Sequence, residues 1–260
     1  MPFRKFTETI AGCNTRFIRG GSGQPLLFLH GANGAATWLP FMEALSERYD
    51  VIVPEHPGFG ASDMPEWLDN IGDLAFFYLD VIDHFGLSDV NLVGQSIGGW
   101  VAMELAIRND TSLASLVLNA PPGIRIPGLR KPDIFLWSPE ETVRNLFHDQ
   151  SFAEHVLAQP IDDEQQMVIL KNRLTTAKLA WQPRLYNPDL EKWLHRISTP
   201  TLVLWGEQDK VIQLEYGPVL ASLIPGAISE TLTDCGHLPQ VEKADDYVAR
   251  VSRFIEEVAR

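Results

Sequence analysis

A chain of 260 residues, 45% hydrophobic and 21% charged, can bury a full core as one domain and calls for no second. Its 34 acidic residues outnumber 21 lysines and arginines, and the net charge of -13 repels phosphate backbones and anionic lipid, which sets nucleic acid and membranes aside as partners. Two cysteines, Cys13 and Cys235, make no framework of bridges and sit in no metal-ligand spacing. Residues 1–10 do not read as a leader and no apolar run has bilayer length, so a reduced, cytoplasmic protein without metal or cofactor is expected.

In chain order, residues 3–10 and 14–18 read as a β-hairpin, and Gly20-Gly21-Ser22-Gly23 breaks the chain before the next strand. Residues 26–29 are an apolar strand leading into His30-Gly31-Ala32-Asn33-Gly34. Residues 51–54 form another, leading into Glu55-His56-Pro57-Gly58-Phe59-Gly60-Ala61-Ser62. A helical stretch over 71–85 precedes a short β-rich run at 90–93, helix formers at 100–107 and a strand at 115–119. From 121 to 197 the alternation stops: the segment is helical and irregular, with Pro122, Pro127, Pro132 and Pro139 near its start. Strand character resumes at 201–205 and again at 228–232. Strands that are apolar throughout, separated by helices, predict an α/β fold with a mostly parallel sheet covered on both faces and active residues at the strands' carboxyl ends.

Gly94-Gln95-Ser96-Ile97-Gly98 stands at the seam of strand and helix. A serine held there on a sharp turn takes a strained backbone conformation and brings neighbouring chain very close, which suits residues without side chains at Gly94 and Gly98. Taken alone, the pattern also fits a glycine-rich turn with an incidental serine.

The rest of the constellation resembles the α/β-hydrolase family, and the resemblance covers nearly the whole chain. It implies the order nucleophile, acid, histidine. Ser96 is then the nucleophile. Asp209, after the strand at 201–205, matches the acid, with Glu207 close enough in sequence to compete. His237, after the strand at 228–232, matches the base. The family's oxyanion-holding amides fall on Ala32 and Ile97. His30 matches a residue that orders its loop, Asn33 is a candidate side-chain donor, and Glu55 stands where relatives usually carry aspartate, in a segment that braces the sheet end. Cys235 shares the histidine's own loop, which favours Ser96 as nucleophile. His84, His148, His155 and His195 read as surface or packing residues.

The same resemblance divides the chain into a core at 1–120 and 198–260 and a helical lid at 121–197. The lid segment carries Phe135, Trp137, Phe147, Phe152, Trp181 and Tyr186, of which Trp137 and Trp181, with Asn33, are the expected substrate contacts. A serine at position 96 argues against branches that place an aspartate there. A carbon–carbon hydrolase branch typically shows His-Gly-x-Gly-Pro, asparagine before the serine and tryptophan after the histidine, whereas this chain has Ala32-Asn33-Gly34-Ala35, Gln95 and Leu238. Arg125, Arg130, Lys171 and Arg173 are the lid cations available to a carboxylate substrate. The expectation is a serine hydrolase of small apolar carboxylic esters, monomeric or homodimeric, acting on a small molecule through an acyl-enzyme. Carbon–carbon hydrolysis of aromatic ring-fission products, or small-molecule reception without turnover, are the alternatives.

Overall fold

The structure, a computed structural model, describes residues 3–129 and 132–259. Eight strands make one sheet: β1 (Phe3–Ile10), β2 (Cys13–Gly21), β3 (Gln24–Leu29), β4 (Tyr49–Pro54), β5 (Val90–Gln95), β6 (Leu113–Asn119), β7 (Thr201–Gly206) and β8 (Ile228–Leu232). Their spatial order is β1-β2-β4-β3-β5-β6-β7-β8. β2 runs antiparallel to β1 and to β4, and all pairs from β4 to β8 are parallel. The first hairpin closes through Ala11 and Gly12, both at positive φ (49° and 72°), the combination a tight two-residue turn with the strands' own twist requires. The break expected at Gly20-Gly21-Ser22-Gly23 falls at Ser22 and Gly23 alone, while Gly20 and Gly21 belong to β2. At Gly21 the backbone of Tyr49 comes too close for any side chain, its carbonyl oxygen lying 2.1 Å from where a Cβ would stand.

The helices are α1 (Pro40–Ser46), α2 (Ile71–His84), α3 (Ile97–Ala106), α4 (Pro139–Leu146), α5 (Gln150–Ala158), α6 (Asp163–Ala180), α7 (Tyr216–Leu223), α8 (Pro239–Glu242) and α9 (Ala244–Val258). Alternate residues of each strand feed two cores. Leu27, Leu29, Leu92, Leu116 and Leu118 face α2, α3 and α7, while Leu26, Phe28, Val93, Val117 and Leu202 face α1 and α9. α2 shows why these segments become helices. Asn70 accepts the Asp73 N–H and Asp73 returns the bond to the Asn70 N–H, and Ile71, Leu74, Ala75, Tyr78, Val81 and Ile82 then repeat on the buried face.

Two features of this layout position the site. β3 lies between β4 and β5, so the chain leaves its carboxyl end in one direction toward β4 while β5 sits on the other side, and a crevice opens at that switch point. Between β6 and β7 the chain departs into α4, α5 and α6 and two short 3-10 turns, Leu190–Lys192 and Leu194–Arg196, which lie over the same edge. No helix among the described residues is long and apolar enough to cross a membrane.

Candidate active site

Ser96 follows directly on β5 and caps α3, with φ 52° and ψ -121°. That left-handed backbone costs a non-glycine residue roughly 1–3 kcal/mol, and the surroundings enforce it. The Ser96 N–H donates to the Asn119 carbonyl at the end of β6 at 2.8 Å, and its own carbonyl accepts from Gly99 and Trp100. A Cβ at Gly94 would stand 2.5 Å from the Gly98 carbonyl oxygen, and one at Gly98 would stand 2.1 Å from that of Leu29. Strand, turn and helix can approach this closely only because those two positions lack side chains.

At the end of β7 the chain turns back on Asp209, whose Oδ1 accepts the N–H groups of Val211 (2.7 Å) and Ile212 (2.9 Å). Oδ2 then faces His237, at 2.7 Å from Nδ1, with both side chains buried. Glu207, the competing carboxylate, is exposed and accepts from the Gln208 side chain. His237 is held by its neighbours: its N–H donates to the Leu146 carbonyl of α4, and the Gly236 N–H donates to Glu242 of α8. Glu242 also accepts from the Asp149 N–H at the start of α5. Cys235 is buried, and burial, with Glu242 adding negative charge nearby, pushes its thiol up to about 12, which removes the thiolate a sulfur nucleophile would need.

The 30–34 loop is locked from below by two histidines. His30 Nδ1–H donates to the Gly31 carbonyl (2.6 Å), leaving Nε2 to accept the His56 N–H (2.9 Å); His56 Nε2–H donates to the His30 carbonyl (2.8 Å), leaving Nδ1 for the Tyr78 hydroxyl. Both rings are therefore neutral, each nitrogen already committed. Burial lowers His30 to about 4, and burial together with the neighbouring His30 lowers His56 well below its usual value. Unfolded histidines take up protons below about 6.5 while these do not, so stability is intact at neutral pH and falls as pH drops from about 6.5 toward 4. His30 alone accounts for up to about 3 kcal/mol of that loss. Urea unfolding at pH 7.0 and 4.5 checks this, and in His30→Asn the difference should shrink. An unchanged pH difference would refute it.

Glu55 closes the same corner: its carboxylate accepts from Ala61 N–H and pairs with Arg16 at 2.7 Å. From above, α6 turns a polar face inward. Asn172 donates to the Asn33 carbonyl (3.0 Å) and accepts from Gly60 N–H (2.8 Å), Thr175 donates to the Gly58 carbonyl, and Lys171 donates to the carbonyls of Gly60 and Ser62.

Ser96 and His237 open onto one pocket, together with Ala32, Asn33, Gln95 and Ile97. Trp137 lines it. Trp181 does not: it lies on the outer side of the insertion, 46% exposed, beside Phe135 and beneath the Arg184 guanidinium. Sequence reasoning missed Ile134, Leu146, Leu185, Val211, Ile212 and Leu238, which make most of the apolar wall. Val211 and Ile212 were within reach, since a carboxylate turning back on itself directs the residues two and three further on toward the same site. Gln95 also lines the pocket, buried, with its amide nitrogen unpartnered. The cations are engaged elsewhere: Arg125 lies over the Tyr186 ring, Lys171 on the two loop carbonyls and Arg173 on those of Phe135 and Trp137, while Arg130 falls outside the described residues.

A parallel sheet that brings a positive-φ serine, a buried Asp–His pair and a glycine-rich loop together at its carboxyl edge defines the α/β-hydrolase class of proteins. The chain belongs to the alpha/beta hydrolase family, whose model matches residues 26–251. Among similar proteins, 2-hydroxymuconate semialdehyde hydrolase of Pseudomonas sp. strain CF600 is 26% identical over 95% of this chain and 92% of its own. The 2-hydroxy-6-oxo-6-phenylhexa-2,4-dienoate hydrolase of Comamonas testosteroni is 30% identical over 89% and 87%. Among solved structures, a thermophilic esterase from Thermogutta terrifontis superposes with a TM-score of 0.77 at 25% identity, over 98% of this chain and 99% of its own.

Proposed function

We propose that this protein is a serine hydrolase that cleaves carboxylic esters of small apolar acyl groups through an acyl-enzyme. The observation that carries the reading is the Asp209–His237 bond, buried at the pocket onto which the positive-φ Ser96 opens.

Asp209 accepts from Nδ1–H of His237, so the lone pair is on Nε2, the nitrogen free to act as base. Ser96 Oγ attacks the ester carbonyl carbon as Nε2 takes its proton. The carbonyl electron pair moves to oxygen, which the amides of Ala32 and Ile97 receive; one such donor is worth about 10²–10³ in rate. Support for that placement comes from Gly31, where a Cβ would lie 3.3 Å from Ser96 Cβ, and from Ile97 opening α3 with the helix's positive end toward the charge. The tetrahedral intermediate collapses, His237 gives its proton to the departing alkoxide, and water repeats the sequence on the acyl-enzyme. Trp137 and the aliphatic wall take the acyl chain, Asn33 and the unpaired Gln95 amide offer hydrogen bonds to its polar end, and 121–197 acts as the lid.

Apart from His237, none of the described pocket residues carries an ionisable side chain, which favours a neutral acyl group over a carboxylate. The relatives named as dienoate and semialdehyde hydrolases favour a second reading, carbon–carbon hydrolysis of a ring-fission product. A panel of p-nitrophenyl esters of rising acyl length, run beside a dienoic ring-fission product, separates the two. Turnover of short esters, with an organophosphonate labelling the wild type and not Ser96→Ala, is the expected result. Turnover of the dienoic compound alone would install the second reading, and undiminished labelling of Ser96→Ala would remove the serine from its role.

A further inference from the structure

α6 is amphipathic in the inverted sense. Its inward face is Asn172, Thr175 and Thr176, followed in the last turn by Leu179 and Ala180, all buried, with Lys171 reaching loop carbonyls beside the polar three. Its outward face is Met167 (65% exposed), Leu170 (48%) and Leu174 (62%), continued past the helix by Trp181. Spacings of three, four and seven put these on one line of a helix. A stripe of large apolar side chains facing water on a soluble domain marks a contact surface.

The charges at either end of that line say what fits it. Asp163 lies at the stripe's amino end and Lys178 at its carboxyl end, both exposed and both on the outward face. We infer that α6 is the interface of a homodimer, packed antiparallel against the α6 of a second copy. A two-fold axis passing beside Leu170 sets Met167 against the partner's Leu174, Leu170 against the partner's Leu170, and Asp163 against the partner's Lys178. The Met167–Leu174 and Asp163–Lys178 contacts then each occur twice, and Leu170 meets its own copy once on the axis, as an isologous interface requires. The antiparallel helix dipoles are favourably opposed, and each acidic amino end meets a basic carboxyl end. Lys178 is available for this, since its contact within the chain is a surface pairing with Asp69 at 3.5 Å. A lipid surface matches the stripe less well, because a net charge of -13 opposes anionic bilayers and the ordered charges at the stripe's ends would have no counterpart in a neutral one. Because the inward face of α6 holds the Asn33 and Gly60 loops, the dimer would bear directly on the site's roof.

The test is sedimentation equilibrium near physiological ionic strength, where screening leaves contact terms dominant. The wild type is expected at twice the 29.1 kDa chain mass. Met167→Glu with Leu174→Glu should yield a monomer whose esterase activity is retained, as neither side chain touches the pocket. Asp163→Lys should weaken the dimer about tenfold by setting two lysines face to face, and adding Lys178→Asp should restore it. Leu170→Cys should cross-link on oxidation, whereas Ile228→Cys, equally exposed at the β8 edge, should not. The proposal is overturned by a wild type monomeric at about 100 µM, by a dimer that survives both glutamates or cross-links through position 228, or by a monomer that sediments with phosphatidylcholine vesicles through the stripe.

Discussion

Asp209→Asn is expected to lower kcat about 10⁴-fold while leaving KM and the fold close to wild type. The reason is specific to how Asp209 is held. Its Oδ1 faces two backbone N–H groups, those of Val211 and Ile212, which demand an acceptor. An asparagine must give its carbonyl oxygen to them and turn its NH₂ toward His237. The imidazole is then forced to accept at Nδ1, moving its proton to Nε2, and the nitrogen that the proposed mechanism uses as base becomes a donor. The histidine remains in place in the wrong tautomer. Steady-state kinetics with a turned-over ester, together with thermal unfolding, check both halves. A loss below about tenfold would mean that His237 is not the base or that Asp209 is not its partner.

Gly98→Ala is expected to cost about 3 kcal/mol or more, among the larger effects any single methyl can have. The added Cβ would stand 2.1 Å from the Leu29 carbonyl oxygen and 2.6 Å from that of His30. Both are backbone atoms at the end of β3, a strand flanked on each side, so neither can swing aside. α3 must move off the sheet, carrying Ile97 and tilting Ser96. For a chain of this size the melting temperature should fall by roughly 6–12 °C. Gly226→Ala is the control: its φ is +72° with nothing within 4 Å, so it bears only the conformational penalty, about 1 kcal/mol. Gly98 has no positive φ of its own, so a loss no larger than that of Gly226→Ala would show that the close approach does not govern position 98.

The inner strands β3 to β7 were legible because they are short apolar runs bounded by glycine, proline and charge, and such runs are buried on both faces wherever a parallel sheet is covered by helices. Ser96 and Asp209 were legible because each follows such a run, whereas His237 follows the largely exposed edge strand β8 and was legible through its place in the chain order. The choice between Asp209 and Glu207 was not, since both lie just beyond β7 and only the turn on Val211 and Ile212 directs one of them inward. The insertion was the least readable part. In α6 an apolar stripe suggests a buried face, yet the inward face is Asn172, Thr175 and Thr176. The partners of Asn172 and Thr175 are carbonyls and amides of residues 33–60, more than 100 positions away, and no local pattern encodes that. Trp181 was misplaced for the same reason: a large aromatic implies burial, and here it continues the outward stripe beneath Arg184.

Glu242 carries a consequence for motion. One of its oxygens holds the amide beside His237, the other holds the first turn of α5, and the His237 N–H itself is bound to the last residue of α4. The corner between α4 and α5 and the His237 imidazole are thus one mechanical unit. Any excursion that lifts this corner withdraws the proposed base in the same movement, so on that reading the protein cannot breathe there and remain armed. The amides of Asp149, Gly236 and His237 should therefore exchange with solvent deuterium as a group, at one shared rate. A route by which substrate enters without disarming the site must open elsewhere along the insertion.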